Sequence, residues 1–288
     1  MPPVLTTAEL QQAKIARVER NLVYAMHSGL ALLLDAYISA TPNGYGAVHI
    51  CGSGWNAPLS PDARPLKESG HVPIEVPPLT QAGYTIFSIN HRAAPRFRYP
   101  DPVLDCQRAV RWIRAHAAEY GIDPGRVGAI GGSSGGHLVG MLGVLDGQGD
   151  PESPSKIERQ SARVQCVVSR AGVYQIIGIN RPLALLGHNV PEEDDGSPEA
   201  KNAIAASPIT YVSAKAPPML LVHGTDDAVV PIEQSQVFAE ALQVAGVPVQ
   251  FIPVEGAGHG PGYPGADIDI SEIQAAYVDW FDRHLQKI

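Results

Sequence analysis

The chain has 288 residues, 44% hydrophobic and 17% charged, with 21 Lys and Arg against 29 Asp and Glu for a formal charge of −8. That length and apolar content suffice for one large α/β domain with a full core, and no linker or composition break sets off a second, so residues 1–288 read as a single domain. An acidic balance without any basic run excludes nucleic acid and anionic membrane as favoured partners.

Cys51, Cys106 and Cys166 are too few and too far apart for a disulfide framework or a zinc pattern, and they suit a reducing compartment. The N-terminal MPPVLTTAELQQAKIARVERN has no apolar core of signal-peptide length. Nothing reaches the roughly 18 to 20 apolar residues of a membrane span. A cytoplasmic location is the expectation, although a leader already removed would leave no trace here.

In chain order, residues 7–20 read as an amphipathic helix with Leu10, Ile15 and Val18 on its apolar side. Residues 20–26 and 30–38 predict two strands joined by a His27-Ser28-Gly29 turn, with Asp35 a structural or edge-facing carboxylate. Residues 46–50 form the next strand and run into Cys51-Gly52-Ser53-Gly54-Trp55. Residues 60–78, rich in proline, read as loop, and residues 84–90 as a buried strand. Asp101-Pro102 caps and starts a helix whose stripe is Val103, Cys106, Val110, Ile113 and Ala117, ended by Gly121.

Residues 126–130 predict a short buried strand and residues 138–142 an apolar helix. After a polar stretch, residues 164–169 give another strand. Residues 172–217 are irregular, with a short helix or two, and read as a small cap insertion. Strands at 218–223 and 247–254 flank a helix at 233–245. A last helix spans 269–285, with Asp269 and Glu272 as a capping box and Ile273, Tyr277, Trp280, Phe281 and Leu285 inward. This alternation predicts an α/β fold: a mostly parallel sheet with helices on both faces and an antiparallel hairpin at one edge.

Three strand ends carry marked residues. Between the strand ending near Ile130 and the helix after it stands IGGSSGGHL, in which G-x-S-x-G fits twice, on Ser133 and on Ser134. A serine at such a turn is a nucleophile elbow, where glycines relieve crowding and the hydroxyl stands clear; a Gly/Ser loop or a phosphate-cradling turn is the plain alternative. The second strand end is His223-Gly224-Thr225-Asp226-Asp227, and the third is Gly256-Ala257-Gly258-His259-Gly260. Taken singly, Asp227 is an ordinary turn aspartate and His259 one histidine of ten. Together, in the order Ser, Asp, His, they meet the needs of a weak hydroxyl nucleophile: an imidazole to take its proton and a carboxylate to hold that imidazole.

From about Tyr24 onward the chain resembles the esterase and lipase branch of the α/β-hydrolases, near the hormone-sensitive-lipase-like and feruloyl or acetyl-xylan esterase-like proteins. The likeness is carried by CGSGW, INHRAAPRFRYPDPVLDCQRAVRWI, IGGSSGGHL, SPITYVSAKAPPMLLVHGTDD, VVPIEQS and GAGHG. It implies a carboxylic-ester hydrolase working through an acyl-serine. The family pattern Gly-x-Ser-x-Gly-Gly, often followed by His-Leu, puts the nucleophile at Ser133. Its His-Gly-x-x-Asp turn puts the acid at Asp227 rather than Asp226.

One departure concerns the oxyanion loop, where the family usually has His-Gly-Gly-Gly-Trp and this chain has Cys51-Gly52-Ser53-Gly54-Trp55. Backbone N–H groups survive that change, so the donors are placed at Gly52, Ser53 and Ser134, the residue after the nucleophile. Cys51 removes a side-chain donor that would brace the loop, since a thiol donates weakly. Packing is its expected role, because no histidine and acid pair is left to make it a nucleophile. His49 is expected to be structural and His137 to cap or pack the helix after the elbow. Trp55 and Asn56 are candidate pocket residues, with a core place for Trp55 as the alternative.

The expected function is a serine carboxylesterase acting on small or short-acyl esters: Ser133 attacks, His259 is base and then acid, and Asp227 orients it. Neither a metal nor an organic cofactor is implied, the partner is a small-molecule ester, and oligomeric state is left open. A peptidase, amidase, lactonase or deacetylase on the same triad is the nearest alternative. A catalytically silent hydrolase fold used for binding is the alternative of another class.

Overall fold

The computed structural model describes residues 4–286. Its elements run α1 (Thr7–Gln12), β1 (Ile15–His27), β2 (Leu30–Ser39), β3 (Gly46–Ile50), α2 (Val72–Gln81), β4 (Thr85–Ile89) and α3 (Asp101–Ala115). Next come β5 (Val127–Gly132), α4 (Ser134–Val144), β6 (Val167–Arg170), β7 (Pro182–Leu183), β8 (His188–Asn189) and α5 (Pro198–Ala205). The chain closes with β9 (Met219–Gly224), α6 (Glu233–Val244), β10 (Val249–Val254) and α7 (Ile270–Leu285).

Eight strands make one sheet in the order β1-β2-β4-β3-β5-β6-β9-β10. The pairs from β4 to β10 are parallel, whereas β1–β2 and β2–β4 are antiparallel. Ser28 and Gly29 both take positive φ at the β1–β2 turn, as a two-residue hairpin loop with the right twist requires. Two apolar cores lie on opposite faces of this sheet. One gathers Val103, Val110, Leu138, Leu142, Phe238 and Leu242 from α3, α4 and α6. The other gathers Val72, Val76, Leu79, Tyr277, Trp280 and Phe281 from α2 and α7. Both faces of the strands are covered, which is why β3, β4, β5 and β9 are buried along their whole length. This is the α/β-hydrolase fold.

Four local expectations need correction. The first helix ends at Gln12, not Arg20: Ile15 and Val18 pair with Ser39 and Tyr37 of β2, and β-branched residues gain more in that ladder than on a short helix. Residues 60–78 are not all loop, because α2 begins at Val72 despite Pro73, Pro77 and Pro78. Pro73 lies in the first turn, where no N–H is needed, and the Ile74 carbonyl left without a partner by Pro78 accepts from Gln274 Nε2 at 2.9 Å. Asp101 does not cap α3; it is the first helical residue and pairs with Arg92 at 2.8 Å. At α7, Asp269 caps through Ser271 N–H at 2.9 Å and the return bond from Glu272 is not made, while Ile273 is only partly buried.

Asp35 is structural but far from edge-facing. It is fully buried, with Lys67 Nζ at 2.7 Å, the Asn21 N–H at 2.8 Å and Arg20 at 3.2 Å. Residues 172–217 hold the β7–β8 ribbon, α5 and a 3₁₀ turn at Pro208–Tyr211, packed over α4 and α6.

Candidate active site

The elbow is built by glycines that let three backbones close on one point. Ser133 sits at φ 56° and ψ −124°, a strained conformation for a residue with a side chain, directly between β5 and α4. A Cβ on Gly131 would lie 2.7 Å from the Ile50 carbonyl oxygen, and one on Gly135 would collide with that same oxygen. The two motif glycines around Ser133 are therefore the two that press on β3.

His259 follows β10 and Asp227 follows β9, and both reach the elbow. His259 Nε2 is 2.9 Å from Ser133 Oγ, and His259 Nδ1 is 2.7 Å from Asp227 Oδ2. A carboxylate only accepts, so Nδ1 carries the proton and Nε2 presents its lone pair to the serine hydroxyl. Asp227 Oδ1 takes the N–H groups of Val229 and Val230, each at 2.9 Å. Burial works against its charge, but hydrogen bonds from His223, His259, Val230 and Val229 outweigh that and hold the carboxyl far below the usual carboxylate range. Asp226 is exposed, and its carboxylate accepts from Thr225 Oγ1 at 3.2 Å.

The sequence reading passed over His223. It is fully buried, donates Nε2–H to the Val230 carbonyl at 2.8 Å and lies 3.4 Å from Asp227 Oδ2. Its Nδ1 meets Ser235 Oγ at 2.7 Å. The signal was the histidine opening the HGTDD turn, which braces the loop that carries the acid.

The oxyanion loop Cys51 to Trp55 lies across the elbow, with one difference from expectation. The Ser53 N–H is directed to Ser134 Oγ at 2.8 Å. Gly52 N–H and Ser134 N–H have no acceptor among the described residues. Trp55 does not line an open pocket: it is 5% exposed, and its indole N–H donates to His137 Nδ1 at 3.1 Å. His137 in turn donates Nε2–H to the Ala206 carbonyl at 2.8 Å, and burial pulls its pKa down to about 4. That chain ties the oxyanion loop, α4 and the 172–217 segment together. Asn56 is exposed, and its side-chain amide donates to the Gly54 carbonyl at 2.9 Å.

Cys51 needs a second correction. A histidine and an acid do stand beside it, for His49 Nδ1 is 3.8 Å from its sulfur and Glu75 lies 2.9 Å from His49 Nε2. All three are buried to 1% exposure or less, which keeps a substrate away from the thiol. Among the described residues no group of three or more His, Cys, Asp and Glu side chains is arranged to hold a metal ion. No helix among them is long and apolar enough to cross a membrane.

The chain is 34% identical over 178 residues to the probable carboxylic ester hydrolase LipM of Mycobacterium tuberculosis, covering 60% of this chain and 41% of that protein. It is 34% identical over 190 residues to esterase LipC of the same organism, covering 63% of this chain and 46% of the relative. It thus spans less than half the length of these curated relatives. Among solved structures, a truncated carbohydrate esterase from gut microbiota superposes with a TM-score of 0.78 at 28% identity, covering 96% of this chain and 98% of that one. The acetyl ester-xyloside bifunctional hydrolase of Caldicellulosiruptor lactoaceticus gives 0.77 at 28% identity, over 93% and 97% of the two chains. Thermogutta terrifontis esterase 2, phosphonylated by cyclosarin, gives 0.71 at 26% identity, over 93% and 94%. The BD-FAE family model matches residues 34–242, most of the chain. The chain therefore belongs to the BD-FAE family of α/β-hydrolases.

Proposed function

We propose that this protein is a serine carboxylesterase that hydrolyses small or short-acyl carboxylic esters through an acyl group on Ser133. One observation carries the reading: the unbroken chain of hydrogen bonds from Ser133 through His259 to Asp227, each residue at the end of a different strand. Ser133 Oγ bonds to the ester carbonyl carbon as His259 Nε2 takes the hydroxyl proton. The carbonyl oxygen becomes an oxyanion facing the N–H groups of Gly52 and Ser134. Collapse of this intermediate breaks the bond to the alcohol oxygen, which leaves with the proton held by His259. Water then attacks the acyl-serine by the same route in reverse, releasing the acid and restoring the hydroxyl. Asp227, kept ionised by its hydrogen bonds, holds the imidazole tautomer and stabilises the imidazolium in both halves.

A cavity of about 810 Å³ opens beside the acid loop, lined by Val173, Ile177, Ile179, Val229 and Val237 among others. Neither Ser133, His259 nor the Cys51–Trp55 loop is among its lining residues, so its wall would serve only an ester arm that reaches past the acid loop, where each buried methylene is worth about 0.8 kcal/mol. The 172–217 segment over it is a small cap made of one short helix, a two-stranded ribbon and turns rather than a deep lid. Three free, buried thiols support a reducing compartment, the cytoplasm, as its location.

The test is a p-nitrophenyl ester series from two to sixteen carbons beside a peptide p-nitroanilide, wild type against Ser133→Ala. Activity that peaks between about two and six carbons and vanishes in the variant is expected, each methylene beyond the cap losing its wall. Efficiency climbing steadily to sixteen carbons contradicts the short-acyl part. Faster release of p-nitroaniline than of p-nitrophenol turns the reading toward a peptidase.

A further inference from the structure

Behind Ser133 lies a cluster of buried ionisable side chains that acyl transfer does not use: His49 of β3, His71 and Glu75 at the start of α2, and Arg170 at the end of β6. Glu75 Oε1 accepts from Arg170 Nε at 3.1 Å, and Oε2 accepts from His49 Nε2 at 2.9 Å. The Ser88 hydroxyl donates to the Lys67 carbonyl at 2.9 Å, so it accepts from His49 Nδ1 at 3.0 Å. Both nitrogens of His49 are then donors, which makes it an imidazolium. Its pKa agrees: burial opposes the charge, but the neighbouring Cys51 and Glu75 outweigh burial and raise it to about 10. Two cations thus share one carboxylate.

His71 Nδ1 lies 2.9 Å from Arg170 Nη2, which only donates, and 3.2 Å from Glu75 Oε1, which only accepts. Burial lowers its pKa, with Arg170 and His49 adding to that and Glu75 opposing it. The Nε2 edge of the ring faces the catalytic corner. A methyl group on Gly52 would lie 2.7 Å from His71 Nε2, 2.7 Å from the Gly132 carbonyl oxygen and 2.9 Å from Ser133 Cβ. One on Gly132 would collide with Arg170 Nη2 and lie 2.9 Å from His71 Cε1. The ring and the guanidinium thus press on the oxyanion loop and on the elbow where each has only hydrogen to offer. Trp55 holds the far end of the loop through His137. Next to Gly52 the side chains hold it weakly: Cys51 is a poor donor, and Ser53 Oγ is buried without a partner among the described residues.

We propose that His71 is a positioning residue for ester hydrolysis: its ring, clamped by Arg170 against Gly52 and Gly132, fixes the Gly52 N–H at the reach from Ser133 that the tetrahedral oxyanion requires. The proposal rests on the serine esterase reading. The contact is built before substrate arrives and matters most when charge develops, so its loss falls on kcat rather than KM.

The test measures kcat and KM on p-nitrophenyl acetate, counted per active site by fluorophosphonate titration, and the Ki of an aryl boronic acid that mimics the tetrahedral state. His71→Ala is expected to lose about 30- to 100-fold in kcat, the scale of a misplaced catalytic group, with KM within about threefold. Boronate affinity is expected to fall by the same factor as kcat/KM. His71→Gln, whose amide accepts from Arg170 and still reaches Gly52, is expected to stay within about tenfold of wild type. If His71→Ala does not fold, His71→Leu fills the space and is read by the same outcomes. Wild-type kcat per titrated site, or a loss confined to KM with boronate affinity unchanged, overturns the proposal. A wild-type protein that hydrolyses no ester removes the parent reading and this one with it; the two failures are distinct because His71 is judged only as a ratio to wild type.

Discussion

The two sides of Ser133 are built on opposite principles. On one side His259 and Asp227 hang from loops, with the imidazole 20% exposed and free to meet substrate and water. On the other, His49, His71, Glu75 and Arg170 are 9% exposed or less and bonded mainly to each other. In the proposed function the first side moves protons, and in the proposed role of His71 the second fixes geometry. The difference teaches that a hydrolytic site needs a part that titrates and a part that does not. Here the rigid part comes from β3, α2 and β6, away from the strand ends that carry Ser133, Asp227 and His259.

Substitutions on the two sides are expected to separate cleanly. Ser133→Ala is expected to lower kcat by at least about 10⁵-fold, the scale seen when a triad nucleophile is deleted, with little change in melting temperature. Asp227→Asn should cost about 10⁴-fold by leaving His259 in the wrong tautomer, measured on any good p-nitrophenyl ester. Asp226→Asn should cost less than about tenfold, since its carboxylate faces solvent. A crippling Asp226→Asn with a mild Asp227→Asn would reverse the assignment of the acid.

On the rigid side, Glu75→Gln leaves Arg170 and His49 without their shared carboxylate. Chemical denaturation is expected to show a loss of about 3–5 kcal/mol, as for other broken buried pairs. The pH dependence of stability follows from the same cluster. His49 has a folded pKa raised from 6.5 to about 10, so its contribution is fully present below about pH 6.5 and is lost as pH rises toward 10. Glu75 and Asp227 are lowered, so theirs is present above the ordinary carboxylate range near pH 4 and is lost as pH falls below it. Glu75→Gln should make the alkaline limb shallower without removing it, because Cys51 also holds the His49 pKa up, and an unchanged limb would remove Glu75 from this account. The smallest effect is expected at Ser134→Ala. It deletes the acceptor of the Ser53 N–H but keeps the Ser134 backbone donor, and kcat should change by less than about tenfold.

The sheet, its hairpin edge and the three triad positions were legible because each is written locally, as an apolar run or a short motif beside a strand end. The cluster behind the elbow was not. His71 and Glu75 are one helical turn apart at the start of α2, but they meet His49, Ser88 and Arg170, of β3, β4 and β6, only through the fold. Residues 72–81 were hidden for a different reason. Three prolines erase the helical signal, and the Gln274 side chain that rescues the Ile74 carbonyl lies 200 residues away. Trp55 was ambiguous in sequence because an indole suits a pocket and a core equally well; its bond to His137 decides for the core.

The central claim is that Ser133, not its neighbour Ser134, is the activated hydroxyl. Ser133 has His259 Nε2 at 2.9 Å, whereas Ser134 Oγ is occupied by the Ser53 N–H. The most direct measurement is peptide mapping by mass spectrometry after labelling the protein with a fluorophosphonate. The account predicts one adduct, on Ser133, formed by wild type and absent from Ser133→Ala. An adduct on Ser134, or a folded wild-type protein that takes up no label, would contradict it.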